Sequence, residues 1–184
     1  MKTILTLFIA TVLISVSTVV KADTLTLKSS DIAHGEFMNK KHEFEGFGCT
    51  GENISPQLSW SGVPEGTESF ALLVHDPDAP TGSGWWHWQV INIDKSVRSL
   101  PRDAGNIAGK LLPKGSLQIE SDYGTAAFGG ACPPPGHGAH RYRFTLYALS
   151  TKLDLPQNAS GALVGYMVNA NSIASSSIEA LYKR

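Results

Sequence analysis

Arg141-Tyr142-Arg143-Phe144-Thr145-Leu146-Tyr147-Ala148-Leu149 decides the fold class. Tyr142, Phe144, Leu146 and Ala148 share one parity and Arg141, Arg143, Thr145 and Tyr147 the other, the period of two that a strand requires. Outward from this stretch the same kind of signal returns. Residues 24–28 alternate polar and apolar, and residues 70–74 are a short continuous apolar run, as in a strand covered on both faces. Residues 88–93 are rich in β-formers, and residues 177–182 place Ile178, Ala180 and Tyr182 on one side of a closing strand. One segment reads as helix: Ser160 can cap it, and Leu163, Tyr166, Met167, Ala170, Ile173 and Ala174 recur at helical spacing. Turn signals at residues 46–48, 79–82 and 129–138 separate these elements. Many strands, dense turns and one evident helix argue for a sandwich or another mostly β domain, a choice that periodicity alone does not make.

The N-terminus carries a different signal. Lys2 precedes an uncharged run over residues 4–20, and Val20-Lys21-Ala22 supplies a cleavage site. This predicts a secretory signal peptide over residues 1–22, because the run is short and diluted by Thr and Ser compared with a spanning helix. The remaining 162 residues, 23–184, make one domain with 13 basic and 16 acidic residues. No basic block is present, so nucleic acid is not an expected partner, and no second apolar span would leave a membrane anchor after cleavage. Cys49 and Cys132 are the only cysteines. An even pair in an exported chain predicts one disulfide.

Familiar catalytic motifs fail. Gly46-Phe47-Gly48-Cys49-Thr50-Gly51 fits the dinucleotide fingerprint by letter but neither follows a strand nor opens a helix. There is no Gly-x-Ser-x-Gly elbow and no second His at helical spacing from His42. The informative stretch is Asp76-Pro77-Asp78-Ala79-Pro80, followed by His87-Trp88. Its prolines carry the chain stiffly out of the sheet with two carboxylates close together, and His87 is their natural partner. The same residues also suit Asx turns beside an ordinary sheet histidine. A second stiff loop, residues 129–138, leads into His140 and Tyr142, whose parity matches Phe144 and points them inward. An inward His and Tyr are costly to bury unpaired, which suggests a polar pocket wall.

These two regions resemble the signature regions of the phosphatidylethanolamine-binding (Raf-kinase-inhibitor-like) family, in the exported members of its bacterial YbhB/YbcL branch. The resemblance covers nearly the whole chain after the signal segment. It implies a large central antiparallel sheet packed on a smaller one. It implies a small-anion pocket built from Asp76, Asp78, Pro80, His87, Gly130, Pro133, His140 and Tyr142, with a cis peptide before Pro80. It implies a periplasmic or secreted binding protein rather than an enzyme, with no cofactor or metal, and it admits a homodimer or an unidentified protein partner. The pattern departs at Cys132, where the family has Gly, and at the C-terminus, where a further helix of eukaryotic members is missing. The alternatives are an acid–base or hydrolytic enzyme using the Asp/His set, or a protease-inhibiting or host-interacting protein in which the pocket is vestigial. For the anion reading, binding is expected to tighten as pH falls through the histidine range, near ~6.5 for an unperturbed imidazole.

Overall fold

The computed structural model describes residues 24–184; the signal segment read at residues 1–22 lies outside the described residues. A five-stranded antiparallel sheet forms the centre, in the order β10 (Ser172–Tyr182), β9 (His140–Leu149), β5 (Ser69–Asp76), β6 (Trp85–Asp94) and β8 (Leu117–Ile119). A three-stranded sheet of β1 (Thr26–Lys28), β4 (Leu58–Ser61) and β7 (Ser99–Leu100) packs on one face. The short hairpin β2 (Glu45–Gly46) and β3 (Cys49–Thr50) stands at one end, and a single turn of 3-10 helix spans Lys40–His42. The helix α1 (Gly161–Asn171) covers the other face of the large sheet.

β5 shows why the apolar run reads as it does: Ser69 to Val74 are all buried, with Phe70, Leu72 and Val74 facing the small sheet and Ala71 and Leu73 facing the helix. The alternation of β9 sends Tyr142, Phe144, Leu146 and Ala148 into the core between the sheets. Burying these side chains contributes roughly 1.5–3 kcal/mol each, before the entropy of ordering the chain is subtracted.

The helix departs from the predicted pattern. Ser160 is its N-cap, accepting the Leu163 N–H at 3.2 Å. Its buried side chains, however, are Val164 and Val168, whereas Leu163 and Tyr166 are exposed and Ile173 and Ala174 belong to β10. Two valines suffice because the surface beneath is the flat side of β5 and β6, where Trp86 fills the space next to Gly161. A Cβ on Gly161 would come within 2.2 Å of the Trp86 ring. Ile173 forms the extra residue of a bulge as the chain leaves the helix and enters the strand directly.

Candidate functional site

Three strand ends meet at one edge of the large sheet: the end of β5 at Asp76, the start of β6 at Trp85 and His87, and the start of β9 at His140 and Tyr142. Two loops close over them, residues 77–84 and 129–138. Between lies a cavity of about 170 Å³, lined by Asp76, Ala79, Pro80, Thr81, Trp85, His87, Tyr123, Cys132, Pro133, Pro134, His140 and Tyr142, with Phe47 at its mouth. That volume is below the roughly 300–1,000 Å³ of sites that hold a drug-sized ligand, so a small group fits, or the tip of a larger one.

His87 reaches the cavity through a β-bulge. Trp88 pairs with Val74 and Trp86 with His75, which leaves His87 as an extra residue on β6. In a regular strand His87 would face away from Trp88, toward the helix; the bulge turns it to the side of Tyr142, with ring centroids 5.0 Å apart. Its backbone carbonyl accepts the Gly129 N–H at 2.9 Å, and its Nδ1 lies 2.8 Å from the Gly129 carbonyl oxygen. Burial pushes the imidazole down to about 4, so it is neutral at physiological pH. His87 is therefore held below the value near 6.5 of an unperturbed imidazole.

Asp76 and His140 form a buried pair, Oδ2 to Nδ1 at 2.7 Å. The remaining ring nitrogen of His140 sits 3.0 Å from Nδ1 of the exposed His137. Asp76 Oδ1 accepts the Asp78 N–H at 2.8 Å, an Asx turn within the loop. The Tyr142 hydroxyl is buried without a hydrogen-bond partner, and so is the Trp85 indole N–H. Burial, with the Asp76 charge added, drives the Tyr142 hydroxyl far above its usual range, against a smaller opposing pull from the nearby Cys132 backbone N–H.

Six of the eight residues read from sequence line this cavity: Asp76, Pro80, His87, Pro133, His140 and Tyr142. Asp78 and Gly130 do not. The Asp78 carboxylate accepts from the Arg141 backbone N–H and from its guanidinium Nε and Nη2, at 2.9, 2.9 and 2.7 Å. That grip, which holds the carboxyl down to about 2, clips the loop to the start of β9. Gly130 spends its N–H on Asn53 Oδ1 at 2.7 Å, and a Cβ there would meet the His42 carbonyl oxygen at 2.4 Å. It is a glycine for close packing rather than for an anion.

The expected cis peptide before Pro80 is absent, as are all cis bonds among the described residues. The Thr81 N–H instead donates to the Ala79 carbonyl at 2.8 Å, a three-residue turn centred on Pro80 that its fixed φ accommodates with a trans bond.

Sequence reasoning missed Phe47, Trp85, Tyr123 and His137. Trp85 was within reach, two residues before His87 at the opening of the same strand. The disulfide could have located Phe47, since Cys49 is bonded to Cys132 on the cavity wall. Tyr123 lies far from both regions in sequence and gives no local signal. Among the described residues no group of three or more His, Cys, Asp or Glu could hold a metal ion.

The model of one protein family, the phosphatidylethanolamine-binding proteins, matches residues 28–183. The chain belongs to that family. Among curated members of the family's UPF0098 group, YbcL of Escherichia coli K12 is 52% identical over 179 residues, covering 97% of this chain and 98% of YbcL. YbhB of the same organism is 45% identical over 159 residues, covering 86% and 99%. The crystal structure of E. coli YbcL, described as a new member of the mammalian family, superposes with a TM-score of 0.85 at 55% identity, covering 87% of this chain and 98% of that one. A Mycobacterium tuberculosis relative named as a lipoprotein, LppC, is 37% identical over 140 residues, covering 76% of this chain and 63% of LppC. No helix among the described residues is long and apolar enough to cross a membrane.

Proposed function

We propose that this phosphatidylethanolamine-binding family member is an exported, non-enzymatic binding protein whose cavity takes a small oxyanion, such as phosphate or a phospho-headgroup. The observation that carries this reading is the Tyr142 hydroxyl, buried without a partner in a cavity that also holds the Asp76–His140 pair and His87. A buried, unpaired hydroxyl costs about 1–3 kcal/mol, and a ligand oxygen would remove that cost. The orphan Trp85 N–H is a second donor of the same kind. Binding is favoured over nucleophilic catalysis because the one aliphatic hydroxyl on the wall, Thr81, is already donating to the Gly84 carbonyl. Export is supported by the signal pattern at residues 1–22, by the Cys49–Cys132 disulfide, and by the name of the LppC relative.

Calorimetry with phosphate and phosphoethanolamine tests this on the protein and on Tyr142→Phe. The variant loses an unsatisfied hydroxyl, so its melting temperature is expected to stay level or rise, while anion affinity falls about tenfold. Saturable binding that Tyr142→Phe leaves intact would place the anion elsewhere, and no binding at all would remove the reading.

A further inference from the structure

The protons on the cavity wall decide which oxyanions it can accept. A carbonyl oxygen only accepts, so the 2.8 Å contact of His87 Nδ1 with the Gly129 carbonyl fixes the proton on Nδ1. The ring is buried and neutral, so Nε2 carries a lone pair; the Gly129 contact at Nδ1 is the hydrogen bond its side chain makes among the described residues, and the Gly130 carbonyl also lies near the ring. His87 therefore presents an acceptor. Histidine 140 offers no free donor either: Nδ1 is committed to Asp76, and Nε2 is taken up by His137 at 3.0 Å.

The surrounding charges act in the same direction. Asp76 lies on the wall and no Lys or Arg does. The titratable groups around His87 are Asp76 and His75 from β5, His140 and Tyr142 from β9, and Tyr123 and Asp122 from the loop that packs on β6. Two neutral donors, Tyr142 and Trp85, stand against one carboxylate and one imidazole lone pair. A fully deprotonated dianion would set an oxygen lone pair against that nitrogen and two charges against Asp76.

We propose that the cavity selects oxyanions that carry a proton, the monoanions of phosphate and phosphomonoesters, with the P–OH donating to His87 Nε2 and the bare oxygens accepting from Tyr142 and Trp85. This rests on the reading of the cavity as an oxyanion site and adds a rule of selection to it. Sulfate has the same shape as phosphate but holds no proton near neutral pH, so the cavity rejects it.

The test is calorimetric titration of the mature protein, at constant ionic strength, with inorganic phosphate, a phosphomonoester and sulfate. At pH 6 phosphate is expected to bind at least about tenfold more tightly than sulfate. Raising the pH to 8, past a phosphoester's second pKa of about 6, should weaken phosphomonoester binding by more than about tenfold, as the monoanion disappears. His87→Gln, whose amide can donate as well as accept, should bring phosphate and sulfate together, with a thermal melt to show that it folds. Sulfate binding as tightly as phosphate in the unmutated protein would overturn the proton rule and leave the oxyanion site standing. Neither anion binding would overturn both.

Discussion

At the scale of single residues, His87 has a consequence for stability. Its folded imidazole is held down to about 4 by burial, against 6.5 for the free group. Between those values the unfolded chain takes up a proton that the native protein refuses. The stabilisation from this residue is therefore complete above pH 6.5 and is lost as pH falls toward 4. His42, also lowered by burial, adds to the same slope. The urea midpoint is expected to fall between pH 6.5 and 4.5, and to fall less steeply in His87→Leu. An unchanged slope in that variant would mean that His87 is not held neutral. The strand parity of His140 and Tyr142 was legible in the sequence because β9 runs regularly from its first residue. That of His87 was not, because a bulge reverses parity without changing the composition of the strand. Asp78 misled for a different reason: a carboxylate two residues from another says nothing about which one a neighbouring Arg141 will claim.

The elements show the same division. A strand buried on both faces is legible as a continuous run, and β5 was read that way. An amphipathic helix is legible only when its polar face is polar. In α1 the stripe read from spacing mixes the exposed Leu163 and Tyr166 with Met167, which packs toward the sheet. What decides the buried side is the sheet surface beneath, with Trp86 and Leu73, which lie outside the helical segment. Two substitutions separate the faces. Val168→Ala, at a fully buried position, is expected to cost about 1.5–2.5 kcal/mol, from two lost methyl groups and the void they leave. Tyr166→Ser, at a position 71% exposed, should stay within about 0.5 kcal/mol. Equal losses in thermal melts would mean that the helix packs through the outward stripe after all.

Across the whole molecule, the cavity rim is held by ties that come from distant parts of the chain. The Cys49–Cys132 bridge joins residues 83 apart, linking the β2–β3 hairpin to the proline-rich loop. The Arg184 guanidinium joins the same two loops again, Nε to the Pro133 carbonyl at 3.0 Å and Nη1 to the Gly48 carbonyl at 2.8 Å. Tyr182 donates to the buried Glu43 carboxylate at 2.5 Å, which also accepts the Thr50 N–H at 2.6 Å. Together they fix the hairpin tip, where Phe47 adopts φ 52° and stacks on Tyr123 at 5.6 Å. A bulky residue held in the left-handed region at a cavity mouth costs stability that a contact with ligand can offset. Closing so long a loop removes unfolded-state entropy worth up to about 4.5 kcal/mol, so reduction is expected to lower the melting temperature by roughly 5–15 °C. Affinity should respond differently, because Arg184 and the disulfide secure one and the same junction. Losing either tie leaves the other to hold Phe47 in place, and phosphate affinity should change less than about threefold in each single case. Losing both, in Arg184→Ala with the bridge reduced, frees the hairpin and should cost more than the product of the two single effects. Calorimetry on the four states measures that coupling. Strictly multiplicative losses would show that the two ties act on separate parts of the site, and that Phe47 is placed by its own aromatic stack on Tyr123 and Phe44.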